Sequence, residues 1–317
     1  MSSNGNLVVE HTTIVYPDLD FTSADHAIVV TAGRISWVGP TSERPMVSPD
    51  TPKIDGSGTY TMPGLIDCHT HITFDAAPIA LENETLTDTD LDLRCKANLE
   101  KQIAAGVTTI RDCGSWRRRA TLYADNRDNI WPRVLSAGLA ITPPGGHGHF
   151  VGSIVTTESD ARHAIAREID LGATFIKLIA TGGIMTEGVG TEDIGLSEDA
   201  MKAAVETAHS RGARVTAHAT GLAGARSAVR AGVDSLEHGF LLDLELVQEM
   251  AHRGTILVPT LSAMSGLLQK SADLPTWAVD KVKKAKRGAD RSLAIALEHN
   301  VRIAAGTDSG TPLNPHG

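Results

Sequence analysis

Lys177 stands in the middle of an apolar run, Phe175-Ile176-Lys177-Leu178-Ile179-Ala180. A lysine inside a fully buried strand carries a large desolvation cost for its charge. It persists there only when paired, neutral or chemically modified. Four histidines and an aspartate sit at the ends of other strand-like runs. They are His69 and His71 (Gly64-Leu65-Ile66-Asp67-Cys68-His69-Thr70-His71), His218 (Arg214-Val215-Thr216-Ala217-His218), His238 (Ser235-Leu236-Glu237-His238) and Asp308 (Ile303-Ala304-Ala305-Gly306-Thr307-Asp308). His69 and His71 are two residues apart, so on an extended strand their side chains point the same way and can chelate one ion. These are the ligand types of a two-metal hydrolytic site. A lone buried histidine is usually a satisfied core residue, but so many such residues at strand ends around a buried lysine favour metal.

The elements that must position them follow from the texture of the chain. Residues 6 to 60 read as short strands and turns, with Leu7 to Val9, Ala27 to Thr31 and Arg34 to Val38 as strands and Ala32-Gly33 as a turn. From Pro63 onward, apolar strand-like runs alternate with helical stretches, the pattern of a parallel sheet covered by crossover helices. Predicted strands are Leu65 to Asp67, Val107 to Arg111, Val134 to Ala137, Phe175 to Ala180, Val215 to Ala217, Ser235 to Glu237, Ile256 to Val258 and Ile303 to Ala305. Predicted helices are Asp90 to Ala105, Ser159 to Leu171, Ser197 to Arg211, Leu222 to Ala231, Leu244 to Arg253 and Trp277 to His299. Gly106, Gly172, Gly212, Gly232 and Gly254 each stop a helix just before the next strand. Pro259 cannot donate to a ladder and marks where the seventh strand ends. The expected fold class is α/β: a (β/α)8 TIM barrel over residues 61–317, with residues 1–60 forming the N-terminal part of a small β-sandwich domain. A barrel of this kind typically needs about 250 residues.

Composition narrows the function classes. The chain has 317 residues, 41% of them hydrophobic and 21% charged, which is globular rather than disordered. A net charge of −9 argues against nucleic acid as a partner. No apolar run approaches the roughly 18 residues of a membrane span, and the polar start Met1-Ser2-Ser3-Asn4-Gly5-Asn6 does not read as a secretory signal. Cys68, Cys95 and Cys113 lack zinc-like spacing and read as reduced, buried thiols of a cytoplasmic protein. The partner expected is a small-molecule substrate, and a homo-oligomer is expected.

The His-Thr-His at 69 to 71, Lys177, His218, His238 and Asp308 occur in the order and on the strands of the amidohydrolase superfamily, which this chain resembles over essentially residues 6 to 317. The resemblance implies two divalent metal ions, usually zinc, bridged by a Lys177 carboxylated by carbon dioxide. It implies that His69, His71 and Asp308 hold one ion and that His218 and His238 hold the other. A metal-bridged hydroxide would then attack a carbonyl, with Asp308 as proton shuttle. Mononuclear aminohydrolases of the superfamily usually carry a glutamate three residues after the fifth-strand histidine, where this chain has Gly221. That favours the binuclear, amide-cleaving branch.

Within that branch the chain is similar to the Xaa-Pro dipeptidase and imidazolonepropionase-like group. The supporting segments are Pro143-Pro144-Gly145-Gly146-His147-Gly148-His149, Ala180-Thr181-Gly182-Gly183 and Ala217-His218-Ala219-Thr220-Gly221. Their glycines are expected to give substrate close access to backbone. His147 is the candidate oxyanion or carboxylate contact, with His149 as its alternative.

The leading reading is a metal-dependent amidohydrolase of a dipeptide or N-acyl amino acid. Alternatives are a lactonase or an organophosphate or carbamate ester hydrolase on the same centre, and a non-catalytic assembly barrel. Trp116-Arg117-Arg118-Arg119 is expected to begin a solvated helix face, as are Lys281, Lys283, Lys284, Lys286 and Arg287. The chain ends at Gly317, so the resemblance implies that the last barrel helix and the strands completing the sandwich are missing from it.

Overall fold

The computed structural model describes residues 5–77, 85–124 and 131–317. It divides into two compact units, Met1–Gly64 and Leu65–Gly317.

The first unit is a single sheet among the described residues. Strands β1 (Leu7–Tyr16), β2 (Phe21–Thr31) and β3 (Arg34–Pro40) pair antiparallel in sequence. Strands β4 (Lys53–Asp55) and β5 (Tyr60–Thr61) add parallel to β1. The expected turn joins β2 to β3, with Ala32 and Gly33 at φ of 50° and 74°. Two successive residues in that region match the right-handed twist of a hairpin.

In the second unit, β6 (Leu65–Thr70) precedes α1 (Asp88–Ala104), β7 (Val107–Asp112) and β8 (Arg133–Ser136). Short strands β9 (Ala140–Thr142) and β10 (Gly152–Ile154) come next, then α2 (Glu158–Asp170) and β11 (Phe175–Ile179). There follow α3 (Glu198–Ser210), β12 (Arg214–Ala219), α4 (Leu222–Ala231), β13 (Ser235–His238), α5 (Leu244–Arg253) and β14 (Ile256–Val258). The last helices are α6 (Leu261–Gln269) and α7 (Thr276–Glu298). All pairings are parallel, in sheets ordered β6-β7-β8 and β10-β9-β11-β12-β13-β14. The chain is therefore mixed α/β.

Hydrogen bonds link the edges of these two sheets. Thr174 N donates to Ser136 O at 2.8 Å, just before β11. On the other side the segment 302–309 lies between β14 and β6. Ala304 N donates to Leu257 O, Cys68 N donates to Ala305 O, both at 2.9 Å, and Asp308 N donates to His69 O at 2.7 Å. The eighth expected strand, Ile303 to Ala305, is reduced to one isolated bridge, Ile303 to Leu257. The backbone approaches β6 and β14 closely at Gly306, where a Cβ would press into His69 and Val258.

The helices begin where side-chain caps satisfy the free N–H groups of the first turn. Thr87 with Asp90, and Thr157 with Asp160, form capping boxes, while Ser197 and Asp243 cap α3 and α5. Gly232 and Gly254 end α4 and α5 at φ of 96° and 74°, as their positions foretell.

One expectation fails, and a second departs at Lys281 while Lys283, Lys284 and Arg287 are exposed as expected. Trp116 to Tyr123 is a 3-10 stretch with Arg117 and Arg118 in the left-handed region, not a solvated helix face. Arg118 there forms a two-pronged ion pair, at 2.6 and 2.7 Å, with Glu168, which is fully buried on α2 and needs a counter-charge. Lys281 is not simply solvated either: Nζ donates to Thr186 O and Val189 O at 2.8 and 2.7 Å and lies 4.9 Å over the Trp277 ring. No helix among the described residues is long and apolar enough to cross a membrane. The three cysteines are unpaired, two buried and Cys68 half-buried.

Candidate metal centre and active-site cavity

The structure brings the expected ligands together. The Nε2 atoms of His69 and His71 each lie 3.4 Å from Asp308 Oδ1, although only His69 is inside β6. The His238 ring lies 5.0 Å from that of His69 and 4.6 Å from that of His218. His238 and Asp308 take left-handed backbone angles, φ 71° and 59°. Such strain in non-glycine residues persists where the surroundings over-determine it, often at functional sites.

Hydrogen bonds to carboxylate or carbonyl oxygens settle which nitrogen three of the rings offer. His69 Nδ1 donates to Glu237 Oε2 at 2.7 Å, and His71 Nδ1 donates to Gly114 O at 2.8 Å, leaving both Nε2 lone pairs free. His218 is turned the other way: its Nε2 donates to Gly182 O at 3.1 Å, leaving Nδ1. His238 Nδ1 pairs with Thr260 Oγ1 at 2.8 Å, a hydroxyl that can donate or accept. Fixing the second nitrogen in this way orients a histidine ligand.

Electrostatics favour the ligand form. Burial, then the Lys177 charge, holds the His69 imidazole well below its ordinary value. Burial likewise lowers His218, helped by His147 and His238, and His238, helped by His69 and Lys177. Neutral imidazole is what binds a metal. For His71 burial also opposes the charge, but the hydrogen bond and charge of Asp308 outweigh it and raise the value.

Lys177 lies on β11, 2% exposed, and its Nζ has no hydrogen-bond partner among the described residues. A buried, unpartnered amine costs free energy unless something occupies the space beside it. That orphan, with His69, His71 and Asp308 able to surround one ion, fits a metal centre.

Glu237 and Arg111 are site residues the sequence reading did not single out. Glu237 is fully buried beside His238. Its Oε1 accepts from Arg111 Nη2 at 2.6 Å and from Thr216 Oγ1, opposite its bond to His69. Burial would raise this carboxyl, but the Arg111 and Lys177 charges outweigh it and lower the value. Asp67 ties β6 to the segment 302–309: Oδ1 accepts from the backbone of His69 and Thr307 at 3.1 and 2.9 Å.

A family model described as amidohydrolase family matches residues 60–315. The chain belongs to the amidohydrolase family. It is therefore a hydrolase acting on carbon–nitrogen bonds. An uncharacterized protein of Mycobacterium tuberculosis is 30% identical over 286 residues, which span 89% of this chain and 72% of that protein. Among solved structures, a prolidase complexed with N-methylphosphonate-L-proline is 27% identical at a TM-score of 0.87, covering 96% of this chain and 78% of that one. A Xaa-Pro dipeptidase with bound methionine in its active site is 25% identical at a TM-score of 0.89, covering 98% and 80%.

The amidohydrolase centre opens onto a cavity of about 470 Å³, within the usual range for small-molecule sites. His147 lines it, half-buried, with its ring 4.3 Å from that of His218 and its Nδ1 2.7 Å from Thr186 Oγ1. Burial, then the Lys177 and His71 charges, pushes its pKa down to about 3. His149 lines the cavity too, more exposed, with Nδ1 donating to Gly146 O at 3.2 Å. The glycines after β11 have a packing role. A Cβ on Gly183 would collide with the His147 ring, and one on Gly182 with Gly190 O. The rest of the cavity is largely apolar, with Phe74, Phe150, Phe240, Met264 and Trp277 among its walls.

Proposed function

We propose that this chain is a binuclear metal-dependent amidohydrolase that cleaves a peptide-like amide, a dipeptide or an N-acyl amino acid. The fold proposed for it is a closed (β/α)8 barrel, with the segment 302–309 as the eighth stave. The hydrogen bonds through Thr174 and through 302–309 support closure. The observation that carries the function is the unpartnered Lys177 Nζ beside imidazoles whose free nitrogens are set by their partners. In this reading Lys177 is carboxylated by carbon dioxide and the ions are zinc. The prolidase and the Xaa-Pro dipeptidase among the similar structures support a dipeptide-like substrate.

Two divalent ions held by these residues would supply Lewis acidity and an acidified water. The chain's own groups do the rest. His69, His71 and Asp308 would hold one ion, His218 and His238 the other, and a carboxylated Lys177 would add an anionic ligand. Asp308 takes a proton from the attacking water and returns it to the leaving amine. His147, neutral at ordinary pH, donates to an oxygen beside the scissile bond. The apolar walls exclude water.

Metal analysis of protein grown with zinc and bicarbonate tests the centre, and a panel of dipeptides and N-acyl amino acids tests the reaction. Two ions per chain and turnover of at least one such amide are expected. Lys177→Ala loses the second ion, and a short carboxylic acid at high concentration partly restores activity. One ion or none on folded wild-type protein overturns the binuclear reading.

A further inference from the structure

One wall of the cavity is unlike the metal side. Ile184, Phe240, Met264, Leu267 and Trp277 all face it. They belong to one apolar cluster that continues behind the cavity through Leu274, Ala278 and Val282. The wall is thus an open face of a hydrophobic core lying between α6, α7 and the loop after β11. Among the described residues that line the cavity there is no arginine, and the only lysine is Lys177. Glu187, at the solvent-exposed part of the lining, adds a negative charge. Lys281, whose ammonium lies 4.9 Å from the Trp277 ring centre, is already engaged. Its ammonium bridges two loop carbonyls and covers the Trp277 ring, holding loop and wall together.

A carboxylate placed against this wall would lose its hydration and meet no cation, whereas a hydrocarbon would gain burial. We propose that this wall selects amides with a bulky, uncharged, apolar acyl group. The proposal rests on the reading of the site as an amidohydrolase centre. It also sets the orientation of the substrate. An N-acyl amino acid carries its charge on the amine half and its apolar group on the acyl half. The acyl half therefore meets α6 and α7, and the carboxylate half is left to the His147 side.

The test uses one amino acid acylated with straight chains of increasing length, alongside the same chains ending in a second carboxylate. For the wild-type metal-loaded enzyme, kcat/KM should rise about 4-fold per methylene, equivalent to about 0.8 kcal/mol each. The chains ending in carboxylate should be at least about 100-fold poorer at equal length, as expected for an unpaired charge. Met264→Arg should cut the ratio of long apolar to long carboxylate-ended substrate by at least about 10-fold, since it places a cation in the wall. Trp277→Ala should flatten the dependence on length. These are ratios, so a lower folded fraction does not alter them. A flat length dependence, or a wild-type preference for the second carboxylate, overturns the proposal while leaving the amidohydrolase reading intact. If no amide turns over, that reading fails instead. Calorimetric binding of the same acyl series then still reports on the wall, and affinity that does not grow with length overturns it.

Discussion

His69 Nδ1 donates to Glu237 Oε2 at 2.7 Å, joining two side chains 168 residues apart. The carboxylate holds the imidazole in one tautomer, with Nε2 toward Asp308, and Arg111 keeps the carboxylate charged. Removing such an outer partner of a ligand histidine typically weakens metal binding 10–100-fold. Glu237→Gln should therefore raise the metal dissociation constant by about that factor, read by competition with a chromophoric chelator. An unchanged constant would mean that backbone packing alone orients His69.

Asp308 sits 3.4 Å from the imidazoles of both His69 and His71, so it has two candidate roles. If it mainly moves protons, Asp308→Asn should lower kcat by roughly 10²–10⁴ while much of the metal stays bound. Metal content and activity lost in equal measure would assign it to ligation alone.

The Arg118–Glu168 pair shows what a buried charge requires. Glu168 is fully buried, and Oε2 also accepts from Leu139 N at 3.2 Å. Arg118→Met leaves that carboxylate only the long 3.9 Å pair with the exposed Arg167 and should destabilise the fold by about 3–5 kcal/mol in urea unfolding. Arg162→Met, which removes an exposed partner of Glu206, should cost less than about 1 kcal/mol. Similar losses at the two sites would contradict this account.

His316 gives a pH dependence with a definite sign. It is buried, with Nε2 donating to His71 O at 3.2 Å, and burial pushes its pKa down to about 4. In the unfolded chain histidine titrates near 6.5. The unfolded state thus binds the proton first as the pH falls, so stability is full above about pH 6.5 and is lost below it. In metal-free protein His316 alone should contribute a fall of about 1.4 kcal/mol per pH unit between about 6.5 and 4. Urea midpoints of wild type and His316→Gln across that window check it. Parallel curves would show that His316 does not titrate on unfolding.

What the chain carries locally could be read directly. A lysine inside an apolar run, histidines and an aspartate at strand ends, and glycines closing helices are each decided within a few residues. Their chemistry is legible because burial, capping and strand alternation act over that range. The extra strands β9 and β10 and the helix α6 were not legible: they are short, and α6 follows Pro259 with Ser262, Ser265 and Gly266 breaking its apolar pattern. Glu237 and Arg111 read as ordinary charges because their partners lie far away in sequence, and only the packing of the two sheets brings Cys68 O, Ser235 and His69 around them. The apolar wall is also a tertiary product. Ile184, Phe240, Met264 and Trp277 come from one loop, one strand end and two helices. No sequence period marks them, because each packs a core behind it and becomes a cavity wall only where the facing elements leave a gap. Residue types thus determined which chemistry is available, while long-range packing decided which lone pairs point inward and which substrate surface they meet.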